Sequence, residues 1–257
     1  MVCRIQLVLA ALVAFTGVPE RAFGQAENTP AYREQLVAMK KYAEAYQAYK
    51  DALAKDPKNP TLLYNAGLMA YLTDKAKDAV ACWSQLKALE PDNWRVRAKL
   101  IQAYEAVGQQ KQRDAERAEL FKLRKETEDK DLKDLKYYCR DQFSVGTTRI
   151  MVFEYFELEG DEPIRLSFDL LEPEGKPVKT RYSLGSYKAT NEVAKETKKI
   201  KPGQRLFHLD AHKQGGVTHE LYELYVGEPE YDSIKKAVKE ILEGKRKPSS
   251  ETLGKEP

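Results

Sequence analysis

Three histidines and an aspartate form the densest group of chemically versatile side chains in this sequence. His208, Asp210 and His212 alternate along one short run, so in a strand all three share a face. His219 follows beyond Gly215-Gly216. A two-residue turn there, or a four-residue loop, puts His219 on that same face; a three- or five-residue loop sends it to the other. Three imidazoles and a carboxylate are a donor set for zinc or another divalent ion. The plainer reading is a polar strand face near a sheet edge, with no metal and no cofactor.

Other catalytic patterns are missing. The sequence contains no Gly-x-Ser-x-Gly, no His-Glu-x-x-His, no phosphate loop and no dinucleotide fingerprint. A non-enzymatic role is therefore the expectation. The 257 residues carry 43 Lys+Arg against 40 Asp+Glu, a net charge of +3. That balance argues against a nucleic-acid partner and against a polyacidic protein. Three Cys are too few for a disulfide scaffold. Cys82 and Cys139 read as free buried thiols, with a disulfide between them as the alternative.

The elements that must position these groups begin after an address label. Residues 1–24 read as a secretory signal peptide: Arg4, an apolar run from Ile5 to Val18, then Pro19 and an Ala22-Phe23-Gly24 cleavage site before Gln25. The run is too short to span a bilayer core of roughly 30 Å. Export to a bacterial periplasm or to the medium follows as an expectation, with no membrane span after cleavage.

Residues 27–130 have helical spacing and an internal period. Pro57 and Pro91 end successive helical stretches 34 residues apart. In that register Ala45 and Ala79 share position 20, Tyr49 and Trp83 share position 24, and Gly67 holds position 8. Small residues at 8 and 20 let paired helices approach, and the aromatic at 24 fills the gap. The segment resembles the tetratricopeptide repeat (TPR) family. The third unit, from Trp94, keeps Leu100, Tyr104 and Gly108 but has Arg113 at position 20, and its charged continuation reads as a polar capping helix. The first unit has Pro30 where a full helix should run.

The resemblance implies an array of about three units that binds a protein or peptide on its concave side. Tyr64, Asn65, Leu68, Tyr71, Arg95, Lys99 and Gln102 would form that surface. It also implies that Asn65, Arg95 and Lys99 stand where some TPR domains hold a C-terminal carboxylate, although Pro30 and Glu34 depart from that pattern in the first unit.

From about Tyr137 the period changes to two. Strands are expected over Tyr137–Val145, Thr148–Leu158, Ile164–Leu171, Val178–Tyr187, Leu206–His212 and Val217–Val226, with a short helix over Thr190–Ile200. Residues 135–243 form an antiparallel β domain, a small sandwich or barrel, closed by a helix over Tyr231–Leu242. Residues 244–257 read as a disordered tail. The expected fold class is α+β, and the expected function is an exported adaptor or scaffold. The alternative is a metal- or glycan-binding β domain, open to an enzymatic role, docked to partners through the repeats.

Overall fold

A computed structural model describes residues 28–157, 164–171, 177–189, 200–201, 203–213 and 219–249. The expected signal peptide, and nearly all of the expected helix over 190–200, lie outside these residues.

The helical half consists of three hairpins. These are α1 (Pro30–Ala38) with α2 (Tyr42–Lys55), α3 (Pro60–Leu72) with α4 (Ala76–Leu89), and α5 (Trp94–Ala106) with α6 (Gln110–Glu126). The second helix of each pair starts at Tyr42, Ala76 and Gln110, each 34 residues after the last. Chemically different residues make the same turn before it: Lys40, Asp74 and Gly108 all take positive φ, at 58°, 59° and 71°. That left-handed residue lets the chain reverse sharply between paired helices. Asn59 and Asn93 each cap the next helix with a side-chain oxygen. Pro30 does not abolish the first helix. It occupies the first helical turn, where its missing N–H is not needed, and Thr29 caps it, so α1 is only shortened.

The small residues work as their spacing implies. Ala45, Ala66 and Ala79 have no exposed surface, and neither has Trp83. The Trp83 indole lies so close over Gly67 that a Cβ there would meet its Nε1 at 2.4 Å. The Nε1–H donates to the Tyr64 carbonyl at 3.1 Å.

After a short α7 (Lys130–Lys133), six strands form one sheet in the order β1-β2-β3-β4-β5-β6, every neighbouring pair antiparallel. They are β1 (Tyr137–Val145), β2 (Thr148–Tyr155), β3 (Ile164–Leu171), β4 (Pro177–Lys188), β5 (Arg205–Lys213) and β6 (His219–Val226). The sheet is an open meander, not the expected sandwich or barrel. Its apolar face, including Ile150, Val152, Phe168 and Leu184, is covered by α8 (Tyr231–Leu242), which buries Ile234, Ala237, Val238 and Ile241. One amphipathic helix serves where a second sheet would otherwise be required.

Beyond α8 the chain turns back at Gly244, and the Ser249 N–H donates to the Leu221 carbonyl of β6 at 2.6 Å. Part of the expected disordered tail is thus held on the sheet edge; the rest lies outside the described residues. Cys82 and Cys139 are not bonded to each other.

The two halves share a third core of Ile101, Leu120, Leu132, Tyr138 and Phe156. It joins α5, α6 and α7 to β1 and the end of β2.

Substituting Gly67→Ala tests the repeat packing. The gain in helix propensity is about 1 kcal/mol, and overpacking against a fully buried indole costs roughly 1–3 kcal/mol. We expect a net loss of stability in urea unfolding. A more stable variant would overturn the assignment of Gly67 as a close-approach position.

Candidate functional site

The surface implied by the repeat resemblance runs along the first helix of each hairpin. On α3, Tyr64, Leu68 and Tyr71 recur at i, i+4 and i+7 and so share one face. All three are half-buried, and Leu72 beside them is exposed. Asn65 turns its amide back to the Thr61 carbonyl of its own helix, at 2.9 Å. Arg95 lies over the Trp94 ring and pairs with Asp131 at 2.6 Å.

On α5 the surface is already taken. Gln102 is buried, and its amide donates to the Cys139 carbonyl of β1 at 2.6 Å. Lys99 faces the same strand; burial lowers its pKa, opposed in part by nearby Cys139. Burial also raises the Cys139 thiol to about 11, with Lys99 pulling the other way. Edge strand β1 therefore occupies the third unit of the groove. The proposed binding surface divides into an α5 part engaged with the chain's own sheet and an α3 part that is not. Tyr71 lies where they meet, with Asp141, Cys139 and Glu105 near enough to act on its hydroxyl.

The residues that hold this arrangement escaped the sequence reading. Glu154 of β2 is 1% exposed. Arg117 of α6 grips it through Nε at 2.8 and 3.0 Å and Nη2 at 2.5 Å. Arg140 adds a bond at 3.1 Å, and the Tyr138 hydroxyl donates at 2.6 Å. Burial alone would raise the Glu154 pKa. Arg140 and Arg117 overcome that and hold it below the usual range. A register shift between Cys139 and Asp141 marks Arg140 as the extra residue of a β-bulge. The bulge lets consecutive residues serve the same side: Arg140 meets Glu154, and Asp141 accepts from Tyr231 at 2.7 Å and pairs with Lys235 of α8 at 2.7 Å. Lys235 also reaches Glu105 of α5, at 2.8 Å.

The charged residues of α6 divide: Lys111, Asp114, Glu119 and Lys122 are exposed, as on a polar cap, and the inner ones are not. Arg113 and Glu116 are buried; Arg113 bonds Glu105 at 2.6 Å, and Glu116 meets Lys87 and Arg97. The visible sign was Arg113 at position 20, where the repeat calls for a small residue. A partner wedged between the helices is what replaces the close approach.

The histidine face is tied together by Ser183 of β4. His208, Asp210 and His212 do lie on one side of β5. His212 Nε2 is 2.6 Å from Ser183 Oγ and 3.4 Å from Asp210 Oδ2. Ser183 donates to Asp210 Oδ1 at 3.0 Å. Serine and aspartate thus both approach the same imidazole nitrogen, which is not the relay of a catalytic triad, where the two nitrogens face different partners. His208 Nδ1 stands 3.8 Å from Asp210 Oδ1, and its ring packs over Gly185 of β4. Burial would raise the Asp210 pKa, but hydrogen bonding from His212 and the charges of both histidines bring it down. His219 is the register partner of His212; its side chain lies outside the description. Among the described residues no three His, Cys, Asp or Glu side chains converge as metal ligands, and no helix is long and apolar enough to cross a membrane.

Comparison with known proteins bears on the helical half alone. The sequence matches no protein-family model and no curated protein. The structure resembles the Sgt2 TPR domain from Aspergillus fumigatus at 18% identity, covering 41% of this chain and 74% of that one, with a TM-score of 0.35. It resembles the first TPR of Spaghetti (RPAP3), solved with an HSP90 peptide, at 18% identity, covering 40% of this chain and 84% of that one, also at 0.35. The case for a TPR-like array rests on the 34-residue geometry described above.

Glu154→Gln tests the junction. A depressed folded-state pKa contributes stability above the unfolded value of roughly 4.3 and loses it as pH falls through the folded value. Uncompensated arginines should cost about 3 kcal/mol at pH 7. In urea unfolding, the gap between wild type and variant should shrink below pH 4. A gap independent of pH would show that Glu154 is not the ionised partner.

Proposed function

We propose that this chain is an exported, non-enzymatic adaptor that binds a polypeptide segment of a partner on the α3 side of its groove. The observation that carries the reading is the stripe of Tyr64, Leu68 and Tyr71, half-exposed and continued by exposed Leu72, beside the helix that β1 covers. An aromatic and aliphatic row beside a fixed strand accepts apolar side chains from an extended or helical segment. The sheet domain serves as the wall of the groove: it closes one end through Gln102 and Lys99 and holds the array at a set angle through Glu154. The N-terminal pattern of residues 1–24 supports export, and a periplasmic or secreted location follows from it.

The test is capture of partners from the exported fraction of the native cell by wild-type protein and by Tyr64→Ala and Leu68→Glu variants. Each variant's melting temperature is checked first. We expect a specific partner whose affinity falls about tenfold for Tyr64→Ala, in line with loss of one aromatic anchor. Equal capture by all three folded proteins would overturn the α3 site. Export is read separately: the purified mature chain should begin at Gln25, and an intact Met1 on the cell's protein would overturn it.

A further inference from the structure

Between α6, the sheet and the start of α8 lies a cleft of about 390 Å³. Four arginines line it: Arg113, Arg117, Arg140 and Arg165. Five carboxylates line it too: Asp114, Glu154, Glu228, Glu230 and Asp232. The totals nearly cancel, but the two signs are not mixed. The floor holds Arg140 and Glu154, both buried, with Arg165 at 14% and Arg117 at 26% side-chain exposure. Arg140 and Arg117 there bond Glu154, and Arg165 stands 3.9 Å from it. The mouth holds Glu228 at 48%, Asp232 at 48%, Asp114 at 58% and Glu230, also exposed. Arg165 reaches up from the floor to bond Glu228 at 2.9 Å, and the buried Arg113 stands 3.7 Å from Asp232, which leaves Glu230 without a cation among the described residues.

Two groups are unspent. Arg140 is 6% exposed, and its Nε has no hydrogen-bond partner among the described residues. Such an orphaned donor on a guanidinium is costly unless something accepts from it. Likewise, the Glu230 carboxylate at the rim makes no hydrogen bond or ion pair among the described residues. Next to it starts α8, whose first residue, Tyr231, follows a position with no side-chain cap. The helix N-terminus adds positive potential toward the floor.

We propose that this cleft binds a small zwitterion, a free α-amino acid or a dipeptide, with its carboxylate toward Arg140 and its ammonium toward Glu230. A carboxylate matches a guanidinium donor in geometry and charge. A simple anion would satisfy the floor but be repelled by the mouth, and a simple cation the reverse. The volume lies at the small end of ligand clefts, roughly 300–1,000 Å³, which fits one or two residues and excludes longer peptides. The site is distinct from the α3 groove, so it stands or falls independently of the adaptor role.

The experiment is isothermal titration calorimetry on the full mature chain. The probes are glycine, alanine, glutamate, lysine and glycylglycine, with propionate and ethylamine as single-charge controls. At least one zwitterion should bind, with both controls on the order of tenfold weaker. Glu230→Gln, an exposed and unpartnered position, should weaken that binding on the order of fivefold at an unchanged melting temperature. Arg140→Lys, if it folds, should weaken it further. No binding by any zwitterion, propionate binding as tightly as the zwitterion, or undiminished affinity in Glu230→Gln would each overturn the proposal.

Discussion

A carboxylate withdrawn from water has to be met by positive charge and hydrogen-bond donors, and Glu154 is met from both halves of the chain at once. Arg117 comes from the helical array; Arg140 and the Tyr138 hydroxyl come from the strand next to it. Neither half could bury this charge alone. If α6 withdrew, Glu154 would keep one arginine and lose its bidentate partner. If β1 withdrew, Glu154 would lose Arg140 and the Tyr138 hydroxyl. The angle between array and sheet is consequently not free. It is set by a charge cluster with specific directions, laid over the apolar contact of Leu120, Tyr138 and Phe156, which has none.

The bulge at Arg140 follows from the same demand. A regular strand alternates its side chains, so consecutive residues cannot both reach α8 and Glu154. One extra residue brings Arg140 and Asp141 to the same side, and Asp141 then anchors Tyr231 and Lys235. Lys235 in turn holds Glu105 at the end of α5. One irregularity in an edge strand thus ties the sheet, its covering helix and the third repeat together. It also protects that edge, since α5 lies where another strand would otherwise pair.

The array was legible in the sequence because its packing repeats. Gly67, Ala45, Ala79, Tyr49 and Trp83 each answer to a neighbour one helix away, so spacing alone reveals them. The meander was legible strand by strand, because Ile164 to Leu171 and its neighbours alternate with period two. What stayed hidden depends on contacts between distant segments that no period records. Arg113 and Arg117 read as a wet helix face because charge alone does not say whether its partner is water or Glu154. The covering of α5 by β1 was invisible for the same reason: Gln102 donates to a backbone carbonyl, which every residue possesses. The histidine set was found by alternation, but Ser183 was not. It belongs to β4, and only the register of β4 on β5, with Ser183 opposite Asp210, brings it beside His212.

The junction therefore does more than join two domains. By seating β1 on the third repeat it shortens the groove and leaves the α3 stripe as the part open to another chain. By drawing α6 toward the start of α8 it encloses a cleft whose floor inherits the arginines gathered for Glu154. Arg117 and Arg140 both serve one carboxylate, and the Arg140 Nε left over at the floor is what a bound carboxylate would complete. Both surfaces are by-products of the same buried ion. Their shapes should change together in any variant that lets the sheet and the array part.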